Sequence, residues 1–185
     1  MTKIQMRKII DCLTSVFCIL LLSCAGNVSQ NYQLGVDALD KGNYDAAIEN
    51  FNAYLKSKSK DADAHLQLGL ALLKKGSLEE AIDAFKKSLA LNKNNSQALS
   101  LIKKGIMEEV NVLLNENKND VAMRYLTAHL TINSDDVDTH IMLAKEFIKM
   151  GSTRNAIQSL NKAVSIDPKN PEVMELLDYF ADGFH

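Results

Sequence analysis

Apolar residues recur every three to four positions along the chain, and each such stretch stops just before a glycine or asparagine and then resumes. This period is that of an amphipathic helix. The break-and-resume pattern predicts helix–turn–helix units. The second halves read G-N-Y-D-A-A-I-E-N-F from Gly42, G-S-L-E-E-A-I-D-A-F from Gly76 and G-S-T-R-N-A-I-Q-S-L from Gly151. A weaker copy, N-K-N-D-V-A-M-R-Y-L, starts at Asn117. Ala47 and Ala81 lie 34 residues apart, as do Ala122 and Ala156, while Ala81 to Ala122 is 41. One hairpin is therefore used four times with a fixed period, interrupted by a seven-residue insertion. A last apolar face, Val173, Leu176, Leu177 and Phe180, follows Pro171 and predicts a closing helix.

The insertion, Ser96 to Ile102, falls in the first helix of the third unit. Seven residues are about two helical turns, so the apolar stripe stays in phase. One long helix is expected from Ser96 to Asn115. Gly105 inside it costs about 1 kcal/mol relative to Ala. Asn117 stands at the third turn, where the other units have Gly, and Asn also tolerates the left-handed conformation.

The N-terminal segment has a different pattern. Lys3, Arg7 and Lys8 precede an uncharged apolar run over residues 12–22, and the sequence continues Ser23-Cys24-Ala25-Gly26. The run has the length of a signal-peptide core and is short for a membrane span. Leu21, Ser23 and Cys24 resemble a bacterial lipobox, although Leu22 is bulkier than usual for that family. The resemblance implies cleavage before Cys24 and lipid attachment at Cys24. The other reading is an ordinary secretory signal in which Cys24 falls by chance.

The resulting division is 1–23 signal peptide, 24–28 lipidated tether, 28–170 repeat array and 171–182 closing helix. The units of the array are 28–61, 62–95, 96–136 and 137–170.

The 34-residue hairpin resembles the tetratricopeptide repeat. Leu34-Gly35, Leu68-Gly69 and Leu143-Ala144 fill the family's first-helix pair. Phe51, Phe85, Leu126 and Leu160 fill its second-helix apolar site. Ser88 and Ala163 occupy a later small-residue position, from which Tyr54 and His129 depart. Only Pro168 fills the proline position, with Ser59, Lys93 and Ser134 at the equivalents. The resemblance implies an all-α, right-handed α-solenoid of four hairpins and a C-terminal capping helix. In such an array each unit buries its apolar face on its neighbours.

Composition agrees. Aromatic residues are 6% of the 185-residue chain, prolines number two, and tryptophan is absent. Cys12 and Cys18 lie in the segment expected to be removed, so the mature chain would retain only Cys24. Removing Lys3, Arg7, Lys8 and Asp11 from 21 basic and 23 acidic residues leaves 18 and 22, a net charge of −4. A chain of that charge is not a general nucleic-acid binder running on counterion release.

No catalytic signature occurs: there is no G-x-S-x-G, H-E-x-x-H, P-loop or mature C-x-x-C. His65, His129, His140 and His185 are not at metal-ligand spacing and are read as packing or surface residues. Asp61/Asp63 and Asp135/Asp136/Asp138 sit at unit boundaries without a Gly-centred loop, so they are read as helix caps and not as a calcium site. No enzyme activity, metal or cofactor is expected.

The resemblance implies that the first helices line a concave groove for a protein partner, bound as a peptide or helix. The family's groove positions fall on Tyr32 and Val36, Leu66 and Leu70, Met107 and Asn111, and Ile141 and Lys145. Six of these eight are apolar or aromatic; the alternative is that some of them pack on neighbouring helices. A carboxylate clamp, which needs Lys and Asn there, is not expected. The expected role is a non-enzymatic scaffold or assembly factor, lipid-anchored in the bacterial envelope. Ala25 is not Asp, which leans to the outer membrane where the host has one. The alternative is a structural lipoprotein or a carrier of small or lipid ligands.

Overall fold

The computed structural model describes residues 28–92 and 95–181. Nine helices account for nearly all of them, and no strand occurs among the described residues. The first hairpin is α1 (28–40) and α2 (Tyr44–Ser57). The second is α3 (Ala62–Lys75) and α4 (Leu78–Leu91). The third is α5 (Ser96–Asn115) and α6 (Asn119–Ile132), and the fourth is α7 (Val137–Lys149) and α8 (Thr153–Ile166). Helix α9 (Pro171–Ala181) closes the array. The signal segment and Cys24 lie outside the described residues.

The four hairpin turns share one backbone device. Gly42, Gly76 and Gly151 have φ of 72°, 87° and 69°, and Asn117 takes their place at 57°. Each turn is closed by a hydrogen bond back over five residues: Asn43 N to Ala38 O, Ser77 N to Leu72 O, Lys118 N to Leu113 O and Ser152 N to Phe147 O, all 2.8–2.9 Å. That bond satisfies a carbonyl left orphaned at the helix end, and it requires a left-handed residue at the turn.

Within each hairpin, two helices approach through a paired site. Gly35 faces Phe51 and Gly69 faces Phe85; a Cβ on Gly35 would stand 2.7 Å from the Phe51 ring. The same sixteen-residue spacing joins Val110 to Leu126 and Ala144 to Leu160, and all of these side chains are fully buried. A ring opposite glycine gives way to a smaller Leu opposite Val or Ala, which conserves volume in a close-packed core.

Stacking between hairpins is not uniform. α2 packs closely on α3, and α6 on α7. At the second junction, α4 scarcely meets α5; α5 lies against α3, and α6 against α4. α5 has 20 residues where α3 has 14, so its added length changes how the third hairpin sits on the second. Gly105 belongs to this junction: a Cβ there would come within 3.1 Å of Leu70 and 3.3 Å of Leu73. The glycine that weakens α5 as a helix permits close approach to α3. The last hairpin and α9 form their own apolar cluster around Ile141, Ala144, Leu160, Ala163 and Val173. Leu176, Leu177 and Phe180 pack against that cluster.

Candidate docking surfaces

The eight expected groove residues do not form a continuous exposed row. Leu66 and Ile141 are core residues, 4% and 3% exposed. Tyr32 is half-buried, its ring edge-on to Phe51 at 5.8 Å and tilted against Tyr54 at 5.2 Å. Burial, with Asp63 and Asp61 nearby, raises its phenol pKa above the ordinary value. Val36, Leu70 and Met107 are half-buried against the main core. Asn111 is exposed, and Lys145 is exposed but ion-paired with Glu172 of α9. The expectation of six gripping apolar side chains is corrected for Leu66 and Ile141. Stacked hairpins bury their apolar first-helix positions against each other, which leaves those two no surface for a partner.

One cleft on the first-helix side, of about 270 Å³, is lined mainly by residues of α1, α3 and α5. Leu39, Leu70 and Leu101 line it with Tyr44, Lys104 and Gly105. Leu101 is 38% exposed. Lys74 stands at its edge, donating to Glu108 at 3.1 Å and Glu109 at 2.8 Å across the α3–α5 contact. Burial works to lower the Lys74 pKa, but the bonds to Glu109 and Glu108 outweigh it and the pKa is raised. Leu101 could not be placed from the repeat alone, because it lies on the inserted stretch.

The unit boundaries carry a polar lock in two versions. Tyr54 Oη donates to Asp61 Oδ2 at 2.7 Å, and His129 Nε2 donates to Asp136 Oδ2 at 2.8 Å. In both, the donor lies seven residues before the Asp that opens the next helix. At the other two boundaries the opening residues are Asn95 and Asn170, and the positions seven before them are the small Ser88 and Ala163. Tyr54 and His129 therefore depart from the small-residue pattern because a carboxylate waits for them. His65 and His140 each donate from Nε2 to a carbonyl six residues back, Ser59 O and Ser134 O, both at 3.0 Å.

The second lock is the more buried. Asp136 also accepts from Lys103 at 2.8 Å and from Thr139 at 3.2 Å, and Lys103 reaches Asp138 at 2.7 Å. Burial alone would raise the Asp136 pKa; the bonds from His129 and Lys103 overcome it and hold the carboxyl well below the usual carboxylate range. Asp61 caps α3 as expected, accepting from Ala64 N at 3.0 Å. Asp136 opens α7 without a side-chain capping bond, its oxygens being committed elsewhere. Among the described residues, no group of three His, Cys, Asp or Glu is placed to hold a metal ion, and no helix is long and apolar enough to cross a membrane.

A larger cleft, about 600 Å³, lies on the second-helix side between α4 and α6. None of the eight expected groove residues lines it.

Two stretches match family models, each described as tetratricopeptide repeat: residues 32–96 and residues 137–170. No curated protein matches the sequence. Among solved structures, the chain is similar to a MamA protein at 21% identity, with 86% of this chain and 84% of that one covered and a TM-score of 0.48. A MamA from Desulfovibrio magneticus RS-1, residues 41 to the end, matches at 20% identity, 84% of each chain and a TM-score of 0.43. YrrB, described as a TPR protein with an unusual peptide-binding site, matches at 20% identity, 82% of this chain and 74% of that one, with a TM-score of 0.45.

Proposed function

For a chain that carries tetratricopeptide repeats in its first two hairpins and in its fourth, we propose a non-enzymatic scaffold that holds a protein partner at a membrane of the bacterial envelope. The repeat array supports the scaffold half of this reading: solenoids of this kind offer extended surfaces on which a peptide or helix can lie. The first-helix cleft around Leu39, Leu70 and Leu101 includes one of the expected groove residues, Leu70, and supports docking on this side. Its Lys104 makes no ion pair or side-chain hydrogen bond among the described residues, which leaves a cation free for a partner carboxylate. The sequence Leu21-Leu22-Ser23-Cys24 supports the membrane half, since diacylglycerol and amide-linked chains on one residue anchor far more firmly than one chain. Only a short tether, residues 24–28, would separate that lipid from the first hairpin. Ala25 after the Cys favours the outer membrane where one exists.

The two halves are tested separately. Cys24→Ser should move the protein from the membrane to the soluble fraction; unchanged membrane association sinks the anchor. For the partner, photo-crosslinking from position 101 in living cells is expected to trap one dominant protein. Leu101→Asp with Lys104→Glu should abolish that product. A crosslinking pattern identical in wild type and variant sinks the groove. Leu66→Asp is unsuitable here, since it would place a charge in the core.

A further inference from the structure

We propose that the α4–α6 cleft is a second docking site, on the face opposite the first-helix groove, and that it takes an amphipathic protein helix carrying Lys or Arg beside its apolar face. The cleft holds about 600 Å³, more than twice the volume of the first-helix cleft. Its floor is apolar: Leu78 and Ile82 from α4, Met123 and Ala128 from α6. Its rim is acidic, with Glu79 and Asp83 on α4 and Asp120 on α6, all exposed.

The opening arises at the second junction, where α4 loses most of its contact with α5 and meets α6 instead. The lining runs along α6 from Asp120 to Thr131, about 16 Å of helix, and along the start of α4 from Leu78 to Asp83, so the trough suits a guest helix of about three turns. Helical walls present no unpaired backbone edge. An extended peptide would gain no backbone pairing from the apolar floor and would leave its N–H and C=O groups to water and to rim side chains, whereas a helix satisfies them internally. Met123 adds an adaptable side chain to the contact.

The charge selects the guest. Glu79 and Asp120 lie in first turns, where a carboxylate also complements the helix dipole. Asp83 lies mid-helix and has no such use. Neither Asp83 nor Asp120 makes an ion pair or side-chain hydrogen bond among the described residues. Arg124, the one cation lining the cleft, stands 3.9 Å from Glu79 and leaves the other two carboxylates unbalanced. A guest with Lys or Arg flanking its apolar stripe pairs with Asp83 and Asp120, while an acidic guest is repelled.

The test uses two hydrocarbon-stapled 16-residue helices with the same Leu face, one with Lys and one with Glu on the flanks. Each is titrated into the isotopically labelled full chain and followed by fluorescence anisotropy and amide shifts. The Lys helix is expected to bind at least about tenfold more tightly at low salt, with the advantage shrinking as ionic strength rises. Amide shifts should centre on α4 and α6. Asp83→Lys with Asp120→Lys, both on exposed helix surface, should reverse the preference with the circular dichroism unchanged. Equal binding of the two helices, indifference to the double variant, or shifts centred on α3 and α5 would overturn the proposal. Self-association that the double variant abolishes would reassign the cleft to a second copy of this chain.

Discussion

Gly69 and Phe85 occupy one space between two helices: a Cβ on Gly69 would stand 2.5 Å from the ring Cδ1 of Phe85. Gly69→Ala gains about 1 kcal/mol of helix propensity but overfills a closed core, which costs about 1–3 kcal/mol. The net expectation is a destabilised second hairpin. Phe85→Leu alone leaves a void, but combined with Gly69→Ala it reproduces the Ala144 and Leu160 pairing of the fourth hairpin. A double-mutant cycle read by denaturant unfolding should give the double variant a smaller loss than the sum of the singles. Strict additivity would mean that the two sites do not share space.

The third turn is tuned by one residue. Asn117 holds φ at 57°, a region costly for most L residues. Asn117→Gly is expected to be neutral or slightly stabilising, and Asn117→Val to cost about 1–2 kcal/mol. Thermal melts of the two variants check this. Equal melting temperatures would show that the turn is not under this constraint.

Acid should act on the second lock. Asp136 has a folded pKa below its unfolded one, so the unfolded chain takes up its proton first as pH falls. The stabilisation is present above the unfolded value and is lost on descending toward the folded one, over the range below about pH 5. Asp136→Asn should be less stable than wild type at pH 7, and the gap should narrow at low pH. Unfolding curves at several pH values give the comparison. A gap that stays constant with pH would contradict the assignment.

The first lock should respond to alkali. Its bond to Asp61, with burial second, pushes the Tyr54 pKa up to about 12. A raised folded pKa gives stability that is full below the unfolded value, about 10, and is lost as pH rises through 12. Tyr32 and Tyr125 are also raised, so phenolate absorbance on an alkaline titration should show several tyrosines ionising late, and Tyr54→Phe should remove the latest step, near pH 12. A titration unchanged by the substitution would break the link between the late step and Tyr54.

Much of this was legible from spacing. The four turns, the long α5 and the closing α9 follow from local pattern, because helix period and turn chemistry act over a few residues, whereas the contacts of Gly35 with Phe51 and Gly69 with Phe85 were seen only in the fold. The status of Leu66 and Ile141 was not legible, since the same apolar residue serves a groove or a core according to what stacks on it. His129 looked like a departure from a small-residue rule until Asp136, seven positions on, supplied its reason.

The sequence by itself determined the hairpin, its repeat and the places where φ must turn positive, since each is written in neighbouring residues. Only the tertiary structure decided which surfaces stay open. The second junction replaces the α4–α5 contact by α3–α5 and α4–α6 contacts. One cleft then opens beside Leu101 and a larger one beside Asp83. Burial is a property of what packs opposite a residue, and a period along the chain does not carry that information.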